Sequence, residues 1–570
     1  MDRHALYPHT PVSPKIPRRA DDVVANEFDR KLVTVLDVFA KIDLLRWIWP
    51  ANYVVLGCRV CKTLKKELAQ FESIVMKASK GCQGIISPFD FADGVNQFEK
   101  TGVEIHAEGC RGLLYAICGQ RANFEPSWCK KIGYLDLSYN EMDEHLSEHL
   151  SVVLKYCENL SSLVLKHNKI EDHGVQQICN ALERTKVLKQ IDLCGNNLGT
   201  RGAKSLGGLL CRAEFKHLNI GQSIGGNNAN VLMELATGLK RCSSCIETLI
   251  LQKNLLRKRG AHKLAFLLPS LLKLQHLDIG GNDFTNEDAD VLCTGLLKLD
   301  RARRKAHATV CSGLRLLDLS DNKLSGGMVE SLKRVVETGK HLEDGGCGGG
   351  ILEDLETLNL HANELLAEGA HSLAGLLPSF PKLQHIDVGG NRITDSGCKA
   401  VCNGLQVCRG LRVLDLSYNS LSGAAAESLK LLFENGMEHH THGGCVGGLE
   451  VLRLGGNTLE EDGSAARASD LVSSLGRSLV ELDLGRTNLR ARGATHLAHA
   501  LPRCSRLTRL VLSSNPFGSE GGVALSIALP HCTALRSLAF GAAGLGPQAA
   551  SHLCAHIALA CPRLDLVGAN

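Results

Sequence analysis

The sequence predicts an α/β solenoid, a stack of strand, turn and helix coils, on three observations. The six residues from Leu135 to Asn140 return unchanged from Leu414 to Asn419. Counting from Asn140, the same slot falls at Asn168, Asn196, Ser223, Asn254, Asn282, Asn322, Asn363, Asn391, Asn419, Asn457, Thr487, Asn515, Ala543 and Ala569, fifteen copies of which eleven hold Asn. Half of the spacings are 28 residues. In a chain of 570 residues such a period outweighs the usual division into globular domains, because repeat arrays grow without one spherical core.

Each element of the coil has its own signal. Aliphatic residues stand five and three places before the slot, as in Leu135 and Leu137 or Leu358 and Leu360, and that alternation puts both on one face of a short strand. An inward asparagine amide can then bond the backbone groups that the turn leaves unpaired. Six places after the slot stands glycine, for example Gly174, Gly202, Gly397 and Gly521. Leucines follow four residues apart, as in Leu206 and Leu210, which is one face of a helix. Pro269, Pro378, Pro502 and Pro530 share the position fifteen after the slot, where a helix has to end.

Ahead of the array, residues 1–24 carry four prolines among charges and read as a disordered lead. Residues 25–130 read as a helical cap that includes a degenerate first repeat, and residues 131–570 as the solenoid. In the cap, Leu32, Val35, Leu36 and Phe39 share a helical face, and Asn52 can cap a second helix through Val60 and Leu64. The lone Cys58-x-x-Cys61 lacks a second pair at zinc spacing and reads as packing.

The net charge of +4 is mild and gives little claim on nucleic acid or anionic membrane. Without a basic and apolar leader or a run of about 18 apolar residues, the chain reads as soluble and cytoplasmic. Its 23 cysteines are then small hydrophobes in a reducing compartment. Cys157, Cys408, Cys504 and Cys532 recur at one phase just past the helix, as packing between coils would require.

The phased pattern resembles the leucine-rich repeat family, in its ribonuclease-inhibitor-like class. That resemblance implies a horseshoe with a parallel sheet on the concave face and helices on the convex face, and a role in binding proteins rather than in catalysis. Val54-Val55 followed by Val60-Cys61-Lys62 is similar to the second half of an F-box. This second resemblance implies an alternative function, a substrate receptor that docks a ubiquitin-ligase adaptor through its N-terminal helices. A third reading within the repeat class is a GTPase-activating protein, although the acidic tail typical of such members is replaced here by Gly568-Ala569-Asn570.

No catalytic constellation, metal site or cofactor motif stands out. His276 and His385 hold equivalent repeat positions, and Gly202-Ala203-Lys204-Ser205 lacks the spacing of a phosphate loop. Four places before the slot, facing outward, stand Asp136, Asp192, Asp278, Asp318, Asp387, Asp415 and Asp483. A column of seven carboxylates favours a basic protein partner, and Tyr139 and Tyr418 are the aromatic anchors expected beside it. Long spacings place three projecting loops at about 298–312, 337–354 and 434–448. The first is basic through Lys298, Arg301, Arg303, Arg304 and Lys305, the second is Gly-rich, and the third holds His439, His440, His442 and Cys445.

Overall fold

The computed structural model describes residues 127–560 apart from 213, 225–229, 242–244, 307–312, 342–349, 435–447 and 461–463, together with 73–74, 103–106, Leu114, Ile117 and 565–567. The chain forms two compact units, 1–140 and 141–570. The helices of the F-box-like resemblance and the His439 to Cys445 group lie outside the described residues.

In the first unit, three strands pair in parallel: Ser73–Ile74 with Val103–His106, and the latter with Ile132–Asp136. The segment read as a helical cap therefore contributes strands to a sheet. Leu114 and Ile117 are helical and fully buried.

The second unit carries fourteen described strands, from Ser162–Val164 to Asp565–Val567, each paired in parallel with the next. Register is held residue for residue, as in Leu358↔Ile386, Ile386↔Leu414 and Leu414↔Leu452. The strands are three residues long and bury their central side chain. A helix follows each strand through most of the unit, typically spanning ten to twelve residues, such as Thr200–Leu210 and Thr394–Leu405. A strand needs about 4.8 Å of stacking room and a helix about 10 Å, so the coils fan apart on the helical side. The sheet becomes the inner face.

Two devices lock the coils together. The first is the asparagine slot. Asn419 is fully buried; its Nδ2 donates to Val388 O of the previous coil (2.8 Å) and to its own Leu416 O (3.1 Å), while its Oδ1 accepts from Asn391 N (2.9 Å). Asn282, Asn457 and Asn515 repeat that pattern. In Ser223 and Thr487 a hydroxyl stands in for the amide, donating to Leu193 O and Leu484 O. Polar groups that would be orphaned in the core are thereby paired.

The second device is at the helix ends. Asp172 accepts from Gly199 N (2.7 Å) and Gly202 N (2.8 Å) of the next coil, and Glu460 accepts from Arg490 N (2.6 Å). A carboxylate on one coil thus caps the next helix. The glycines six places past the slot permit this stacking: a Cβ on Gly397 would meet the Cβ of Ala370 at 2.8 Å, and one on Gly521 that of Ala494 at 2.8 Å. The prolines fifteen past the slot sit in 3-10 turns such as Leu268–Ser270 and Leu501–Arg503, which close the helices.

The first long spacing differs from expectation. Residues 298–305, expected in the loop, continue the helix Asn286–Lys305. The reason is local. Leu297 stands where four other coils have proline, but Cys211 and Gln406 hold the same position in helices that stop there, so what distinguishes this coil is the packing of its helix end. Arg303 is 5% exposed and donates to Leu274 O, and Arg304 pairs with Asp300 at 3.1 Å and donates to Gly339 O at 3.1 Å. These arginines belong to the packing of the helix end. The second long coil likewise keeps residues 337–341 in the helix Gly326–His341.

Candidate functional site

The seven aspartates stand at the last residue of their strands, where the side chain points off the sheet. None is an unconstrained surface charge. Each accepts from the amide two residues on: Ser138 (3.0 Å), Cys194 (3.0 Å), Gly280 (3.1 Å), Ser320 (2.9 Å), Gly389 (2.8 Å), Ser417 (2.9 Å) and Gly485 (2.8 Å). Asn219 and Asn359 do the same for Gly221 and His361, both at 3.0 Å. The recurrent acid is therefore first a turn former, and what this job requires is an oxygen rather than a charge.

Asp136 and Tyr139 belong to the first unit, and the other candidates to the second. In the second unit the row reads Asp192, Asn219, Ile250, Asp278, Asp318, Asn359, Asp387, Asp415, Arg453 and Asp483, and it ends in Val511, Ala539 and Val567. Second partners occupy several members. Asn219 donates to Asp192 (2.9 Å), Asn359 to Asp318 (2.7 Å), and His361 lies 3.2 Å from Asp387. Arg453 bridges Asp415 (3.5 Å) and Glu481 (2.9 Å). Among the described residues, Asp278, Asp387 and Asp483 each have one carboxylate oxygen with no hydrogen-bond partner in the protein.

Crowding shows in the protonation of the row. Burial, with the Asp318 charge beside it, pushes Asp278 up to about 6. Burial likewise raises Asp415, with Asp387 adding to it, and Asp483. The hydrogen bond to Asp387 raises His361 against its own burial. His276 and His385 are lowered by burial and take part in bonds with Thr248 and Thr357.

Tyr139 and Tyr418 are 45% and 53% exposed. Both adopt a left-handed backbone, φ 58° and 53°, which costs a non-glycine residue about 1 kcal/mol. Residue type does not announce it, yet the position before the slot is left-handed in coil after coil, including His167, Lys253, Asp321, Arg486 and Ser514. Where a bulky residue holds it, glycine often follows in the next coil. A Cβ on Gly456, itself at φ 73°, would fall inside the Tyr418 ring, and Gly195 and Gly281 stand likewise under His167 and Lys253. Gly280-Gly281, Gly389-Gly390 and Gly455-Gly456 make room beside the acids for side chains of neighbouring coils, among them Ser320, Lys253, His361 and Tyr418.

A family model described as "Leucine Rich repeat" matches residues 156–179, 270–293, 381–402 and 503–526, and a second, "Leucine Rich Repeat", matches 313–335 and 410–432. Ribonuclease inhibitor of Sus scrofa is 26% identical over 293 residues, covering 50% of this chain and 61% of that protein. The chain is a leucine-rich repeat protein of the ribonuclease-inhibitor-like class. Ribonuclease inhibitor of Mus musculus is also 26% identical, over 303 residues. The human NACHT, LRR and PYD domains-containing protein 12 is 29% identical over 284 residues, covering 49% of this chain and 23% of that protein. This leucine-rich repeat chain spans about three fifths of the length of the inhibitors it matches. No described helix is long and apolar enough to cross a membrane. The cysteine column of the leucine-rich repeats is buried, with Cys408 and Cys532 thiols directed at carbonyls of the preceding coil.

Proposed function

We propose that the chain is a non-enzymatic scaffold of the cytoplasm that binds a protein with exposed basic side chains on the sheet face of residues 141–570. The observation that carries this reading is the placement on one face of Asp278 and Asp483, each with a carboxylate oxygen that no group of the protein engages, and of the exposed Tyr418. Carboxylates already desolvated and oriented by a backbone amide lose little further hydration when a guanidinium or ammonium arrives. Tyr418 adds a rigid aromatic contact. A preformed sheet of fourteen strands also offers area on the scale of specific protein interfaces, on the order of 800 Å² per partner. Ribonuclease inhibitors are named for binding a protein, and the likeness to them supports this reading. The carboxylates of the face hold turns in shape, a structural use rather than a catalytic one.

The test uses substitutions that keep the turns. Asp278→Asn with Asp483→Asn retains the oxygen that accepts the amide, as Asn219 and Asn359 do naturally, and removes the charge. Affinity capture from cell extract, with mass spectrometry, should lose basic partners in this variant and in Tyr418→Ala while the fold persists. Undiminished capture of the same partners by both would refute the reading.

A further inference from the structure

A second charged surface lies outside the carboxylate row. No lysine follows Lys430, and from Arg477 to Arg536 the chain carries eight arginines against Glu481, Asp483 and Glu520. Five of the eight, Arg477, Arg503, Arg506, Arg509 and Arg536, fall on one edge of the sheet, in the returns from helix to strand and at the strand starts. All five are exposed. The coils bring them together: a Cβ on Gly476 would lie 3.0 Å from the Cβ of Arg503, Arg509 pairs in register with Ser537, and Arg536 N donates to Thr508 O at 2.8 Å.

Earlier coils use the same edge differently. Seven places before the slot, Lys216 pairs with Glu247 of the next coil (2.6 Å), Arg315 with Glu356 (3.6 Å) and Arg412 with Glu450 (3.7 Å). Nine before it, Lys382 pairs with Asp354 of the previous coil (2.5 Å). Arg536 and Arg506 hold these two positions, but their neighbours there are Thr508 and Ser478. Glu481, the acid opposite Arg509, is engaged by Arg453 at 2.9 Å. Among the described residues, none of the five arginines has a carboxylate partner. Lys189 and Lys273 hold these two positions in earlier coils and also lack a carboxylate partner among the described residues; what sets the last coils apart is that five such cations gather in three successive coils.

We propose that this edge, in the coils of Thr487, Asn515 and Ala543, is a docking site for an acidic polypeptide segment, a run of aspartates and glutamates. Arginine suits carboxylates because its planar fork makes two parallel bonds. The patch spans three coils, roughly 10 to 15 Å along the sheet, which matches a few successive carboxylates of an extended peptide. Nucleic acid fits less well. Its bases want aromatic platforms, and Phe517 and Phe540, the aromatic residues after Arg477, are both buried. This proposal does not depend on the reading of the carboxylate row.

Fluorescence anisotropy of a labelled peptide of about ten glutamates, titrated with the full chain at low salt, tests it. Arg506→Ala/Arg509→Ala/Arg536→Ala should weaken binding by about tenfold or more, and the matching lysine variant by about three- to fivefold. Arg201→Ala/Arg259→Ala, at exposed arginines elsewhere, should leave it unchanged. An unchanged thermal midpoint shows that the triple variant is folded. The proposal falls if the alanine triple binds as the parent does or if the control pair loses as much. It also falls if single-stranded RNA of equal charge displaces the peptide at lower concentration with the same arginine dependence.

Discussion

At the scale of the residue, side chains that look like recognition elements are first instruments of backbone geometry. Asp278 is the sharpest case. Its acid is raised from 3.8 to about 6 in the folded chain, so between those values the native state binds more protons than the unfolded one, and stability falls as pH rises through that window. Asp278→Asn should therefore stabilise the unit by about 1 kcal/mol above pH 7 after solvent screening, with the gain fading as pH drops toward 4. Chemical denaturation at several pH values reads this directly, and a gain independent of pH would mean that the carboxylate is unstrained. Tyr418 and Gly456 give a second case. Gly456→Ala adds a Cβ at a left-handed φ inside the ring and should cost about 1–3 kcal/mol. In a Tyr418→Ala background the cost should shrink by about 0.5–1 kcal/mol, the coupling that a double-mutant cycle measures.

At the scale of the element, the packing of a helix end decides how far the helix runs. Coils with proline fifteen places past the slot close in a 3-10 turn, and those with Cys211 or Gln406 there also stop, whereas the helix Asn286–Lys305 runs on and buries Arg303. Leu297→Pro should cost about 3 kcal/mol or more and lower the helical circular dichroism, because the following residues lose their anchor. An unchanged spectrum would show that the extension is held by Arg303 alone. The strands, the turn asparagines, the closing prolines and the buried cysteine column were legible in the sequence because each follows from period and polarity. The extended helix was not, because surplus length after an expected stop looks like loop. The left-handed residue before the slot was also hidden: Tyr, His, Lys, Asp, Arg and Ser occupy it as well as glycine, so composition marks nothing. The sequence did place the carboxylates in one column, but not that Asn359 and Arg453 interrupt it or that most of its oxygens are already engaged. Nor did it single out the arginine edge, whose meaning rests on five cations without carboxylate partners gathered in three successive coils.

At the scale of the whole unit, stability resides between coils. Each helix packs on the next, each strand pairs with the next, and the buried amide of each asparagine serves two coils at once. Asn419→Ala would strip those bonds from the middle of residues 141–570 and leave carbonyls and amides of the Asn391 coil unpaired, at a cost of about 3 kcal/mol. In a stack whose stability is a sum over neighbours, such a break should separate two blocks. Hydrogen exchange is expected to show faster opening confined to the coils around Asn391 and Asn419, and a uniform change along the unit would contradict the nearest-neighbour picture.

The direction of these asparagine bonds has a consequence for a chain emerging from the ribosome. Asn282 completes the turn of the Asn254 coil, Asn322 that of the Asn282 coil, and so on, because each Oδ1 reaches back to amides already made. A nascent chain thus always carries one unfinished coil at its growing end, which the next segment to be synthesised completes. At Thr487 and Ala543 the amide is gone, and Leu459 N and Phe517 N donate instead to their carbonyls at 3.0 and 3.2 Å, so there the relay passes through backbone.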